Sequence, residues 1–257
     1  IHVQDVINEE TRNLAYLTIR NTFEAFGENG LPINAVFTKE VSLAFRNIFE
    51  MIYQELTAKG PVMAMLDQVF AVDEPLFCHS LNVAIYTLAL AIAMKLNKHQ
   101  CFEIGMGALL HDIGKMKIPR KILDKPGKLT HEEFEEIKRH TEYGFDILRR
   151  AEDIPLLSAH CAFQHHERLN GTGYPRQLSG GEIHLYGKIM AVADVFDAMT
   201  TNRVYRQGHL PNDALEHLFA GANILYDQKV VDLFRDTISL YPVGATVRLS
   251  TGESGVV

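Results

Sequence analysis

His111-Asp112-Ile113-Gly114-Lys115 is the stretch of this 257-residue chain from which both its fold and its chemistry can best be predicted. The residues before it carry small and apolar side chains at helical spacing, which predicts a helix over 99–112 that ends at this stretch. An imidazole next to a carboxylate can bind metal, and the carboxylate can bridge two ions. The alternative is structural: a glycine that stops a helix and a lysine that complements its dipole.

Further histidine and aspartate candidates follow one another at intervals of 25 to 32 residues along the chain. They are His79, His140, the pair His165-His166, and Asp194. One helix with its connections takes about this many residues, so we expect each candidate on a different helix, facing one bundle interior. Asp194 lies in the apolar run 189–196, where a carboxylate is costly unless it has a partner or a metal. The set therefore predicts a metal centre.

The predicted ligands offer only nitrogen and oxygen, which favours Fe or Mn and is compatible with Zn. Two divalent ions about 3.5–4 Å apart can activate a water and hold phosphate oxygens for in-line displacement. Lys115, Arg203 and Arg206 add donors suited to phosphate. We therefore expect an anionic, phosphate-containing ligand.

The net charge, the apolar stretches and the cysteines of the chain argue against several classes of protein. Lys and Arg number 25 and Asp and Glu 32, for a net charge of −7, so no basic surface for duplex DNA is expected. The longest apolar stretch, 83–94, is shorter than the ~18–20 residues that span a bilayer and predicts a buried helix. The three cysteines form no C-x-x-C pair, which fits a reducing cytoplasm.

Helical spacing recurs along the whole chain, and the predicted class is all-α with a small C-terminal β-hairpin over 246–256. Irregular segments are expected at 113–129 and 167–182. A division into an N-terminal helical segment, 1–72, and a second domain, 73–257, is predicted. The chain begins at Ile1 without Met, so we expect it to be a piece of a longer protein. The predicted helices are 5–26, 38–57, a short one ending near 72, 76–96, 99–112, 130–150, 156–166, 183–200, 212–221 and 227–240.

A second motif runs from His165-His166-Glu167 to Gly173-Tyr174-Pro175. Two glycines before Tyr-Pro predict a rigid turn with exposed backbone N–H groups. The alternative is a tight loop whose tyrosine is plugged into the core. Both can hold together, because a structural loop can also dock a partner.

The two motifs together, H-D-x-G-K at 111–115 and H-H-E-x-x-x-G-x-G-Y-P at 165–175, resemble the HD-GYP family of the HD phosphohydrolase superfamily. The segment 194–206 is similar to the one that follows in that family, and the resemblance covers about 76–257. It implies a helical bundle of the HD-domain type and a phosphodiesterase of bacterial signalling. The implied substrate is cyclic di-GMP, hydrolysed to pGpG and onward to GMP.

The resemblance also implies roles for individual residues. Lys115 would contact the scissile phosphate, and Arg203 and Arg206 the rest of the nucleotide. The loop Gly173-Tyr174-Pro175 resembles a surface with which relatives dock diguanylate cyclase domains. One metal ion would be held by His79, His111, Asp112 and Asp194. The other would be held by Asp112, His140, His165 and His166.

One position departs from the family pattern. Some members bind a third metal through a Glu one helical turn before the first ligand histidine, and here that position is Pro75. Glu74 is one residue away from the required helix face. Because proline has no donor side chain and favours a helix start, we expect two metals rather than three.

Two other functions compete with hydrolysis of cyclic di-GMP. The first is a nucleotide sensor that docks partners and turns over slowly or not at all. The second is a hydrolase of another cyclic dinucleotide, such as cyclic GMP-AMP. The acidic, helical N-terminal segment also allows a homodimer.

Overall fold

A computed structural model of the chain describes residues 6–27, 32–59, 63–64, 75–201, 208–239, 246–248 and 251–256. Most of these residues are helical, which confirms the all-α class. Short 3-10 helices lie at Ile113–Lys117 and Gly180–Glu182. The α-helices are α1 (Glu9–Gly27), α2 (Ile33–Val36), α3 (Lys39–Lys59), α4 (Pro75–Ala93), α5 (Lys98–Leu110), α6 (Arg120–Leu123), α7 (His131–Lys138), α8 (His140–Leu148), α9 (Leu156–Gln164), α10 (Leu185–Thr200), α11 (Pro211–Ala220) and α12 (Gln228–Thr237).

Two small pairs of strands accompany the helices. β3 (Thr246–Arg248) and β4 (Ser254–Val256) pair antiparallel, which confirms the predicted C-terminal hairpin. β1 (Met63–Ala64) pairs in parallel with β2 (Ile238–Ser239). The short helix predicted to end near residue 72 is therefore wrong at 63–64, and the rest of it lies outside the described residues.

The helix predicted over 130–150 is in fact two helices, α7 and α8, with a break at Arg139. Side chains form hydrogen bonds to backbone carbonyls there. The Nδ1 of His140 lies 2.7 Å from the carbonyl oxygen of Ile137, and the Thr141 hydroxyl donates to the carbonyl oxygen of Lys138. Such local bonds compete with helical amide bonds. The break starts a new helix at His140.

Helix α4 lies at the centre of the core. By length and composition its stretch Leu76–Ala93 could cross a membrane, but 72% of that stretch is buried inside the structure, as in the core helix of a soluble protein. Aromatic contacts join it to its neighbours: Phe77 lies 5.8 Å from Phe23 of α1, ring centre to ring centre, and Tyr86 5.5 Å from Phe196 of α10. The division of the chain at residue 72 stays a prediction.

Candidate metal centre

The ends of four helices and the middle of a fifth meet at one buried point. His79 lies in the second turn of α4, His111 and Asp112 directly follow α5, and His140 begins α8. His165 and His166 follow α9, and Asp194 lies within α10. The structure thus brings together the seven residues that the sequence nominated as ligands, each helix supplying one or two of them.

The first group of side chains consists of His79, His111 and Asp112, whose ligand atoms all lie within 4.8 Å of one another. Asp194 borders this group: its Oδ1 lies 3.1 Å from the Nε2 of His79 and 3.9 Å from the Nε2 of His111. Two imidazoles and two carboxylates therefore converge there. Such a set suits a divalent cation.

The second group consists of His140, His165 and His166, whose ring nitrogens also lie within 4.8 Å of one another. The Nε2 atoms of His140 and His165 are 3.3 Å apart. Three imidazoles this close, all neutral, present their lone pairs to the same small volume. This is an arrangement that a cation would stabilise.

Asp112 lies between the two groups. Its Oδ2 is 3.5 Å from the Nε2 of His111 and 3.7 Å from that of His79. Its Oδ1 is 3.4 Å from the Nε2 of His140. Because one oxygen faces each group, the carboxylate is oriented as a bridge between two cations would be.

Two buried polar atoms inside the cluster have no hydrogen-bond partner: the Nε2 of His111 and the Oδ1 of Asp112. Leaving such a group unsatisfied costs about 1–3 kcal/mol. A cation in each group would satisfy both atoms. The residues present therefore fit divalent metal ions, and the donors are nitrogen and oxygen alone.

Burial sets the protonation of most of the histidines. It lowers the pKa of His140 to about 4 and holds the pKa values of His165 and His166 well below the usual range. Burial lowers the pKa of His111 in the same direction. These rings are neutral at pH 7, the state in which histidine binds metal.

The pKa values of the carboxylates and of His79 are set instead by nearby charges and hydrogen bonds. Burial acts to raise the pKa of Asp112, but nearby cations, the Lys115 ammonium first among them, outweigh it and hold that pKa well below the ordinary value. Burial acts to lower the pKa of His79, but hydrogen bonds to Asp194 and Asp197 raise it to about 10. Without metal, His79 is therefore the one cationic imidazole among these ligands.

Acid should destabilise the metal-free protein. His140 has a folded pKa of about 4 against an ordinary value of 6.5, so the unfolded chain binds its proton first as the pH falls. The linked loss of stability between pH 6.5 and pH 4 is about 3 kcal/mol for this residue. His79 does not offset the loss, because its raised pKa contributes stability that is already complete below pH 6.5.

Denaturant unfolding of chelator-treated protein at several pH values would measure this dependence. His140→Gln should show a smaller loss of stability on acidification than the wild-type chain. A free energy of unfolding that stays level from pH 6.5 to pH 4 would contradict the assignment of a neutral, buried His140.

Gly114 lets two backbones touch beside the cluster. A Cβ at this position would overlap the carbonyl group of His140 and reach the backbone nitrogen of Gly144. Only glycine allows the 3-10 helix after Asp112 to pack so closely on α8. The glycine of H-D-x-G-K therefore sets the distance between Asp112 and His140.

The three residues nominated for phosphate binding are only partly covered by the structure. The Nζ of Lys115 pairs with the Oδ2 of Asp112, and its side chain is 22% exposed at the edge of the cluster. Arg203 and Arg206 lie outside the described residues, as does Glu74.

The tyrosine of the second motif faces the histidines. The ring of Tyr174 lies 4.6 Å from that of His166 at a 31° tilt and 6.4 Å from that of His140, ring centre to ring centre. Gly173 is buried against the backbone of His166 and Glu167, where a Cβ would not fit. The loop is therefore built into the centre, as the structural alternative held.

Glu167 holds this loop in place, a role that the sequence analysis missed. Its buried carboxylate accepts hydrogen bonds from the backbone N–H groups of Arg176, at 2.8 Å, and Leu178, at 2.9 Å. The signal was present, since an acidic residue directly after two ligand histidines would be costly to bury without partners.

Asp197 was also missed. It is 2% exposed, and its Oδ2 lies 2.7 Å from the Nδ1 of His79. The available signal was spacing: Asp197 follows Asp194 by three residues within the same apolar helix, so both carboxylates lie on one face.

A family model described as HD domain matches residues 52–230, which is more than half of the chain. The chain therefore belongs to the HD domain family. Its likeness to a protein of Bdellovibrio bacteriovorus described as an HDG"Y"P protein supports the same fold, with a TM-score of 0.62 at 18% identity over 86% of this chain and 69% of that one. The predicted HD-domain fold is thus confirmed.

Two curated relatives match more than two thirds of the chain. A cyclic di-GMP phosphodiesterase of Pseudomonas aeruginosa is 40% identical over 185 residues, which are 72% of this chain and 44% of the relative. The 3'3'-cGAMP-specific phosphodiesterase 2 of Vibrio cholerae is 34% identical over 199 residues, 77% of this chain and 38% of the relative. The chain spans less than half the length of either protein.

Proposed function

We propose that this chain is a metal-dependent phosphodiesterase that hydrolyses cyclic di-GMP to pGpG, GMP or both. The observation that carries the proposal is the carboxylate of Asp112 between two groups of buried histidines, with one oxygen toward each. The similarity to a cyclic di-GMP phosphodiesterase over 72% of the chain supports the choice of substrate.

In this proposal the chain's own residues hold and orient the reacting groups. His79, His111, Asp112 and Asp194 would hold one ion, and Asp112, His140, His165 and His166 the other. Such ions, when bound, polarise the phosphate and lower the pKa of water. The Nζ of Lys115, at the edge of the cluster, would donate to a non-bridging oxygen of the scissile phosphate as the 3′ oxygen leaves. Arg203 and Arg206 would bind the rest of the nucleotide.

The ions are proposed to be two in number, with Fe or Mn favoured and Zn compatible, because the donors are imidazole and carboxylate alone. Elemental analysis of anaerobically purified protein would test both statements. About two ions per chain are expected. A third ion that disappears in the Glu74→Gln variant would contradict the number.

The second candidate is hydrolysis of cyclic GMP-AMP, favoured by the 34% identity to the phosphodiesterase of Vibrio cholerae. Chromatography of products from metal-loaded protein, incubated separately with each cyclic dinucleotide, distinguishes the two. Linear products from cyclic di-GMP are expected to form faster. Binding of either nucleotide without turnover would instead identify a sensor module.

Partners and location belong to the same proposal. Docking of a diguanylate cyclase domain would use the loop around Gly173-Tyr174-Pro175, where Thr172, Arg176 and Gln177 are exposed while the tyrosine ring packs on His166. We also propose that the chain forms a homodimer through its N-terminal helices and that it is located in the cytoplasm. Sedimentation with and without a diguanylate cyclase domain would measure both associations.

Lys115→Ala should separate phosphate binding from metal binding. Loss of a charged contact to phosphate is worth roughly 1.5–3 kcal/mol, which lowers the rate of hydrolysis about 10- to 150-fold. The metal content should stay at the wild-type value, because Lys115 is not a proposed ligand. Lys117→Ala is the matched control: Lys117 lies on the same 3-10 helix and is exposed, so its loss should leave hydrolysis unchanged. If Lys115→Ala protein contains no metal, Lys115 is needed for metal binding, and its assignment to phosphate binding alone is wrong.

A further inference from the structure

His79 differs from His111, His140 and His165 in the partner of its Nδ1 atom. The Nδ1 of His111 lies 2.7 Å from the backbone oxygen of Ala108, that of His140 2.7 Å from the oxygen of Ile137, and that of His165 3.2 Å from the oxygen of Cys161. A backbone carbonyl can only accept, so each of these rings carries its hydrogen on Nδ1 and turns Nε2 toward the cluster.

The Nδ1 of His79 instead meets a carboxylate, the Oδ2 of Asp197, at 2.7 Å. Its Nε2 faces the cluster like the others, 3.1 Å from the Oδ1 of Asp194. A carboxylate acceptor on the far nitrogen makes an imidazole a stronger metal ligand than a carbonyl does, and it fixes the tautomer and the ring plane. Asp197 is thus placed to act on this ring alone.

Asp197 is itself held rigidly. Its Oδ1 accepts from the amide of Asn82 at 3.0 Å, and its Oδ2 also accepts from the hydroxyl of Thr201 at 3.2 Å. Asn82 lies on α4, three residues after His79, so a single carboxylate of α10 grips two neighbouring side chains of α4. This leaves the carboxylate little freedom to rotate away from His79.

We infer that Asp197 is a positioning residue that orients His79 as a metal ligand through Nε2 and strengthens its bond to the ion of the first group. Asp197 contacts His79 at Nδ1, on the opposite side of the ring from the Nε2 that faces the cluster. The inference rests on the proposed metal centre and deepens it. It predicts that Asp197 controls the affinity of one of the two metal positions and leaves the other unchanged.

Titration of the metal-free protein with Co²⁺, in competition with a coloured chelator, would test this. Wild-type protein should bind two ions in two resolved steps. Asp197→Ala should weaken one step about 10- to 100-fold, the usual effect of removing such an outer partner. It should also change the visible absorption of the Co²⁺ bound in that step, whereas the other step keeps its affinity and its spectrum.

Asp197→Asn is nearly isosteric and decides the outcome if the alanine variant does not fold. Its amide oxygen can still accept from the Nδ1 of His79, and Asn82 can turn its own amide to match. The hydrogen bond survives while the charge is lost, so we expect an affinity between wild type and Asp197→Ala.

Asn82→Ala is the matched control, because it removes a partner of the same carboxylate without touching His79. Because the bond between Asp197 and His79 remains, the affinity of the affected step should fall by much less than in Asp197→Ala, and the other step should stay unchanged. The inference is overturned if Asp197→Ala binds both ions normally, if it weakens both steps equally, or if Asn82→Ala reproduces its effect. Wild-type protein that takes up no Co²⁺ would contradict the metal centre itself and the inference with it.

Discussion

Asp112→Asn is expected to remove both metal ions and to abolish hydrolysis. The amide cannot supply an anionic oxygen to each histidine group, and its nitrogen would point at one of them. Loss of an outer partner of a metal ligand already costs about 10–100-fold, so loss of a shared ligand should exceed about 100-fold in metal affinity. Elemental analysis and product chromatography would measure the two effects, and circular dichroism should show that the helices remain.

His140→Ala provides the comparison for this variant. His140 belongs to one group only, so its loss should leave about one ion per chain. An Asp112→Asn protein that retains two ions would defeat the assignment of Asp112 as the bridge. Asp124→Asn is the control: it removes an exposed carboxylate that is not among the proposed ligands, so the metal content should stay unchanged.

Gly114→Ala is expected to have the largest effect on stability. Its Cβ would overlap the backbone carbonyl of His140, and backbone cannot move aside as a flexible side chain can. Overpacking of a core costs typically 1–3 kcal/mol and occasionally more. We expect about 3 kcal/mol or more here, which lowers the Tm by about 6–12 °C for a domain of this size.

The same substitution should also weaken metal binding. Pushing α8 away from the 3-10 helix moves His140 away from Asp112, so ions should be lost from the second group first. Gly144→Ala is the matched control, because its Cβ would meet the Cβ of Ala162 at 3.3 Å and the backbone oxygen of His111 at 3.4 Å, both milder contacts. Equal changes in Tm for the two variants would show that the contact with His140 is not special.

The convergence of the seven candidate ligands was predictable from the sequence because each member carries its own local signal. Histidine and aspartate stand out in apolar helices, and an interval of one helix brings each new helix back to the same bundle interior. The all-α class of the fold followed from the helical spacing of apolar residues along the chain. What the intervals could not show was how the ligands divide into two groups, because that depends on helix packing across the core.

The features that were missed depend on contacts between distant parts of the chain. β1 pairs with β2 across most of the sequence, and no pattern near Met63 announces it. The break between α7 and α8 depends on which backbone carbonyls form hydrogen bonds with the side chains of His140 and Thr141. Asp197 could be placed on the face of Asp194 by spacing, but its bond to His79 required the crossing of α4 and α10 to be known.

The distribution of ligands over α4, α5, α8, α9 and α10 also bears on how an ion would leave. A site formed by one loop can release its ion when that loop frays. Here no single helix end can fray and free an ion, because the remaining ligands stay packed on other helices. Loss of one ligand leaves the others in place, so release of an ion needs several ligand bonds to break in turn. Bound ions would therefore be held by chelation, with residence times set by the whole ligand set rather than by the strength of any one bond.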